Sequence, residues 1–245
     1  MILLVESAPA EKKLFRRKQL ILINNSIMLG MRVTVMTIPL AERLRTGQRE
    51  RLKKRLTAVM GKLRINTVCL KNDFPYPEWF EGYRRPDGSA FIKRLMGKIA
   101  VMAADRHESV YVYMKRADRW NIRALAELCE GFRFVSLSAQ NGESGQISAS
   151  LMKSCGASVM TEPTAERIKT ADAAVFFDIP DEKPVLNESC VSLCVRNTDA
   201  EFRMTDGSEI GIPDGYSQKS LISEAVLRGC IRFEDIQISR IKISP

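Results

Sequence analysis

The chain reads as a two-part α/β protein: a C-terminal parallel sheet flanked by helices, preceded by a smaller, basic α/β domain. From Ser109 onward short apolar runs alternate with amphipathic stretches, the rhythm of strands joined by crossover helices. The 245 residues suffice for two domains, and 45% apolar with 27% charged side chains is ordinary composition for chains that bury a core. Charge is unevenly spread. Residues 1–106 hold 22 Lys+Arg against 9 Asp+Glu, so the remainder is net acidic within a total of +9. The expected division is therefore 1–106, a basic α/β domain, and 107–245, the domain with the parallel sheet.

Met1–Glu6 has no basic leader region and reads as a first strand. Leu20–Ile23 and Arg32–Thr37 read as β segments broken by Asn24, Asn25 and Gly30; the second alternates apolar and polar residues, as a strand with one wet face does. Pro39 suits the opening of a helix over Leu40–Leu63, whose apolar side is Leu52, Leu56, Val59, Met60 and Leu63. Its other side is the densest basic region, carrying Arg43, Arg49, Arg51, Lys54 and Arg55. Two readings follow: a surface for nucleic acid or an acidic partner, with Arg49, Arg51, Lys54 and Arg55 as its contacts, or a solvated helix face. After a strand at Thr67–Leu70, the Pro- and aromatic-rich run Phe74–Phe80 continues to Gly88 as a loop. Its aromatics either stack on bases beside Arg84 and Arg85 or pin the loop to the protein. Ala90–Ala104 reads as a helix.

In the C-terminal part, strands are expected at Val110–Met114, Phe134–Ala139, Ala157–Met160 and Ala173–Phe177, joined by helices at Arg119–Cys129, Gly145–Cys155 and Thr164–Thr170. Asp118 is placed to cap the first of these helices, and Gly131 and Gly156 to end helices. Val191–Val195 and Ile236–Ile243 read as strands on either side of a helix over Ser217–Arg228.

Open α/β sheets bind ligands beyond the carboxyl ends of their strands, so the residues just after each strand are the candidates. They are Lys115 and Arg116, the turn Gln140–Gly145, Glu162, and Asp178. The succession strand, glycine turn, helix, strand and acidic residue over 134–178 resembles the first βαβ unit of the Rossmann dinucleotide-binding superfamily, with Gln140 where the first glycine would stand. The resemblance implies that Asn141, Gly142 and Gly145 hold a dinucleotide, NAD or NADP, and that Glu162 receives its ribose hydroxyls. Read without it, the same residues leave open a dinucleotide, a smaller nucleotide or other anion, and a turn that binds nothing.

Asp178 is the best-placed catalytic carboxylate, able with Glu162 to move protons, or else one end of an Asp178–Asp181 turn. His107, the single histidine, precedes a strand and so lies away from the strand-end site, where capping or solvation is expected of it. The sequence has no nucleophile elbow, zincin motif or P-loop. Six cysteines include no C-x-x-C pair and five sit in apolar runs that read as core, Cys190 and Cys194 being expected as buried thiols; a reducing cytoplasm and no metal site are expected. The most apolar stretch, 20–40, is broken by Asn, Gly, Arg and Pro, so no membrane span is expected.

Overall fold

The computed structural model describes residues 1–9, 21–40 and 45–243. Contacts divide the chain into two compact units, Met1–Gly88 with Arg203–Gln237, and Ser89–Phe202 with Ile238–Pro245. The division drawn after Arg106 from charge falls inside the second of these. Charge marks surface composition, whereas a unit is set by which buried faces pack together.

In the first unit, β1 (Ile2–Pro9), β2 (Leu22–Met28), β3 (Met31–Leu40) and β4 (Thr67–Leu70) form one sheet in the order β2-β3-β1-β4. β1 runs parallel to β3 and β4, and β2 is antiparallel to β3. The β2–β3 hairpin turns at Leu29 and Gly30, both with positive φ, the backbone of the tight turn whose twist matches its strands. The first half of β1, Ile2–Val5, is an unbroken apolar run because both its faces are covered. Leu3 and Val5 pack with Leu52, Leu56 and Met60 of α1 (Thr46–Lys62), while Ile2 and Leu4 pack with Leu221 and Ala225. The helix expected from Leu40 begins at Thr46 instead, residues 41–44 lying outside the described ones, and Pro39 sits in β3. There it lies opposite Ala8 of the parallel β1 and beyond Leu22, where the described β2 ends opposite Thr37.

The second unit begins with α2 (Ser89–Ala103) and continues through β5 (Ser109–Met114), α3 (Arg119–Gly131), β6 (Phe134–Ala139), α4 (Ser144–Cys155), β7 (Met160–Thr161), α5 (Ala165–Lys169), β8 (Ala173–Phe176) and β9 (Val191–Cys194). Every pairing is parallel and the order is β7-β6-β5-β8-β9. Alternation along β5 is what seats it. Tyr111 turns toward Ile168 of α5 together with Ala174 and Phe176, and the intervening Val110, Val112 and Met114 are also buried. α3 packs against α2 and, less extensively, against α4.

β10 (Thr198–Met204) and β11 (Ile236–Ile243) pair with each other, and the unit boundaries fall within both strands. α6 (Gln218–Leu227), expected with the C-terminal domain, belongs to the first unit. No helix among the described residues is long and apolar enough to cross a membrane.

Candidate site at the strand ends

The second unit reverses its strand order between β5 and β8. After β5 the chain moves outward to β6 and β7, then crosses to β8 on the other side. This is the strand order of the first five strands of the dinucleotide-binding doubly wound class, and the crevice between the two innermost carboxyl ends is where such sheets bind ligands. Residues 134–178 were expected to form the first βαβ unit. The sheet makes β5-α3-β6 the first, so the glycine turn lies one strand away from the reversal, because strand order is fixed by long-range pairing that local sequence does not show.

The loop after β5, Lys115–Asp118, is short and tied down. Asp118 caps α3 by accepting from the backbone N–H of Trp120 (2.8 Å) and Asn121 (3.0 Å), as its place before the helix led one to expect. The buried Asn121 returns the favour: its Oδ1 accepts from Asp118 N–H (2.7 Å) and its Nδ2 donates to the Arg116 carbonyl (2.8 Å). Across the crevice, Asp178 Oδ2 accepts from the Lys115 backbone N–H (2.9 Å). Lys93 of α2 stands between two carboxylates, 3.5 Å from Asp118 and 3.9 Å from Asp178. Lys115 Nζ reaches Asp181 (2.7 Å), which also accepts from Gln140 Nε2 (3.0 Å). Burial and the charges of Asp181 and Asp178 raise the Tyr113 hydroxyl above its ordinary value, against the opposing pull of Lys115.

The second strand end is a 3-10 turn over Gln140–Gly142 that leads into α4. Here Ser144 Oγ donates to Glu162, and Glu143 Oε2 accepts from Ala117 N–H at 3.4 Å. Two of the protein's own carboxylates therefore stand at the start of α4, where the helix end favours negative charge. Gly142 has φ +72, a left-handed conformation that suits glycine, and Glu162 has φ +50. Of the Asn141 side chain nothing is described.

The sequence-derived residues thus fall into two groups. Asp178 is joined to Lys115, and Glu162 to Ser144, so the two carboxylates proposed to share proton transfer are bonded to different partners. Lys93, Asp181 and Tyr113 had not been expected at the site. Lys93 had no local signal, being brought in by helix packing, whereas Tyr113 was legible as a polar-tipped aromatic one residue before the end of a strand. His107 Nε2 donates to the Val101 carbonyl (2.8 Å) in the last turn of α2, a capping contact. Cys190 and Cys194 pack at the edge of one apolar cluster.

In the first unit, Arg49, Arg51, Lys54 and Arg55 lie on the exposed side of α1, opposite the buried Leu52, Leu56 and Met60. The guanidinium of Arg49 sits 5.0 Å over the Tyr76 ring, and Tyr76 stacks on Trp79 at 4.5 Å and 9°. Phe74 and Phe80 are buried and meet edge to face. The aromatic loop is therefore pinned by its own rings.

No family model matches the chain, and no curated protein matches it. Among solved structures it is similar to the Thermococcus litoralis Δ1-pyrroline-2-carboxylate reductase in complex with NADH and L-proline, with 15% identity over 60% of this chain and 50% of that one (TM-score 0.34). It is also similar to L-tryptophan dehydrogenase from Nostoc punctiforme (11% identity, 58% and 44%, TM-score 0.29) and to aspartate transcarbamoylase from Trypanosoma cruzi in complex with carbamoyl aspartate and phosphate (12% identity, 79% and 70%, TM-score 0.33). The chain spans about half the length of the first two. The class of the second unit, a Rossmann-like parallel α/β sheet, rests on its own strand order and not on these likenesses.

Proposed function

We propose that the second unit binds a nucleotide or dinucleotide, NAD or NADP among them, at the carboxyl ends of its strands. The carrying observation is the reversal of strand order between β5 and β8, with Lys115, Arg116 and Asp178 at its mouth and the Gln140–Gly145 turn beside it. In this reading Asn141, Gly142 and Gly145 let a phosphate approach the backbone. Glu162 accepts from ribose hydroxyls with the lone pairs that Ser144 leaves free. Asp178 is the general acid or base for whatever group is brought within reach of it. Six free thiols fit the same reading in a reducing compartment.

The test is calorimetric titration and thermal shift of the full chain with NAD, NADH, NADP and ATP, repeated on Gly145→Val. A Cβ at Gly145 meets nothing within 4 Å, so valine at the start of α4 meets no obstacle in the fold, whereas Gly142→Val would add backbone strain. A ligand near 100 times its dissociation constant stabilises by about 2.7 kcal/mol. The expected result is a shift with one of the four, weakened about tenfold or more in Gly145→Val. No shift with any, or equal binding by both proteins, overturns the proposal. The exposed basic face of α1 carries the second reading, a non-enzymatic contact with nucleic acid or an acidic partner. A short duplex DNA that binds with a steep salt dependence, lost in Arg51→Ala with Arg55→Ala, would favour that reading.

A further inference from the structure

A cavity of about 290 Å³ opens in the first unit outside the carboxyl end of β4. Here too the strand order reverses: β3 lies on one side of β1 and β4 on the other, all three parallel. The polar lining consists of Lys71, Asn72, Arg85, Ser217 and Ser220. No aspartate or glutamate lines the cavity among the described residues; Asp73, between lining residues, is not one of them. This distinguishes it from the strand ends of the second unit, where Asp178, Asp181, Glu143 and Glu162 supply negative charge.

The donors here outnumber their partners. Lys71 and Arg85 have no carboxylate within ion-pair distance among the described residues, and Arg85 spends one N–H on the Pro77 carbonyl (2.7 Å), leaving the rest of its fork. Ser220 Oγ lies 2.9 Å from Ser217 Oγ, and the Ser220 backbone N–H also reaches Ser217 Oγ (3.4 Å). Two hydroxyls share one hydrogen bond, so whichever of them donates, one O–H hydrogen is left without a protein acceptor among the described residues. The stem of Lys71 lies over Gly215, where a Cβ would come within 2.6 Å of Lys71 Cε, so a glycine there leaves room for the lysine. Phe74, Pro77 and Pro86 complete the walls with apolar surface.

A concave surface that gathers two cations and hydroxyl donors, and offers no carboxylate, is complementary to an anion. Two positive charges suit a phosphate monoester, which carries about −1.5 to −2 at neutral pH, better than a single carboxylate. The volume lies just under the range of about 300–1,000 Å³ typical of drug-sized ligands, too small for a dinucleotide. We infer that this cavity binds a small phosphate ester, its phosphate oxygens taken by Lys71, Arg85 and a seryl hydroxyl and its short carbon body lying against Phe74 and the prolines. The site is in a different unit from the nucleotide site proposed above and does not depend on it.

The experiment is isothermal titration of the full chain with glycerol 3-phosphate, inorganic phosphate and glycerol, at fixed ionic strength. Glycerol 3-phosphate is expected to bind saturably with one site per chain, inorganic phosphate more weakly and glycerol not at all. Binding is expected to fall about tenfold or more in Lys71→Met, which keeps the stem, and in Arg85→Gln, and to be unchanged in Lys115→Met of the other unit. Arg85 is exposed, so Arg85→Gln decides the matter even if Lys71→Met fails to fold. Saturable binding that both variants leave intact, or no saturable binding of either phosphate compound, overturns the inference.

Discussion

Glu224 of α6 is a carboxylate buried to 2% exposure and held by two arginines, Arg84 and Arg228, the latter at 2.8 Å through Nε. The arginines are far less buried, with side-chain exposures of 53% and 35%, so they keep much of their hydration while Glu224 has lost its own. Glu224→Gln keeps the shape and removes the charge. Each hydrogen bond to a charged group contributes about 1.5–3 kcal/mol, offset by the arginines' rehydration and by the relief of not burying a carboxylate, for a net loss of about 2 kcal/mol. For a chain of this size that is roughly 4–8 °C in Tm. Burial alone would raise the Glu224 carboxyl, but the hydrogen bonds and charges of Arg84 and Arg228 outweigh it and hold the group below its ordinary 4.5. A carboxyl depressed in the folded state stabilises fully above its unfolded value and loses that contribution as pH falls through the folded one. Differential scanning calorimetry near pH 7 should therefore show the full gap between wild type and variant, and the gap should narrow steadily in increasingly acidic buffer. Melting within about 1 °C of each other near neutrality, or a gap that does not change with acid, would refute the reasoning.

Three further outcomes are expected. Gly97→Ala places a Cβ 2.5 Å from the Ala124 carbonyl oxygen and 2.7 Å from Glu127 Cβ, a backbone obstacle that cannot step aside. Overpacking at about 1–3 kcal/mol exceeds the helix-propensity gain of about 1, so the calorimetric Tm should fall; a rise would mean that α2 and α3 separate at little cost. Asp118→Ala removes two capping hydrogen bonds and should lower stability by about 1 kcal/mol in urea unfolding, while an unchanged midpoint would show the cap to be redundant. Burial pushes the thiols of Cys69, Cys129 and Cys190 up to about 11, whereas Cys155 and Cys230 are exposed. Iodoacetamide near pH 8, followed by peptide mass analysis, should modify the exposed pair first, and equal labelling of Cys69 would contradict its burial.

Much of the local structure was legible before any coordinates. The strand Val110–Met114 and the helix after Asp118 announced themselves through periodicity and a capping residue, both properties of neighbouring positions. Thr198–Met204 also alternates, with Thr198, Ala200 and Phe202 buried, but its buried side chains are mostly small and its polar ones charged, so it did not stand out as a strand. Pro39 was misread because a proline suits both the first turn of a helix and a strand position that donates no ladder bond, and only the long-range pairing with β1 distinguishes them.

The site divides along the same line. Its residue types after each strand could be read from the sequence, since a strand end is a local event. Their company could not. Lys115 meets Asp178 across 63 residues, Arg84 meets Glu224 across 140, and α6 returns to pack against β1. By itself the sequence determined the type of most elements and which of their faces are apolar, because these follow from the chemistry of adjacent side chains. Only the tertiary structure decided the order of strands in each sheet, and with it the points of reversal where both candidate sites lie, because that order is set by pairings between segments far apart in the chain.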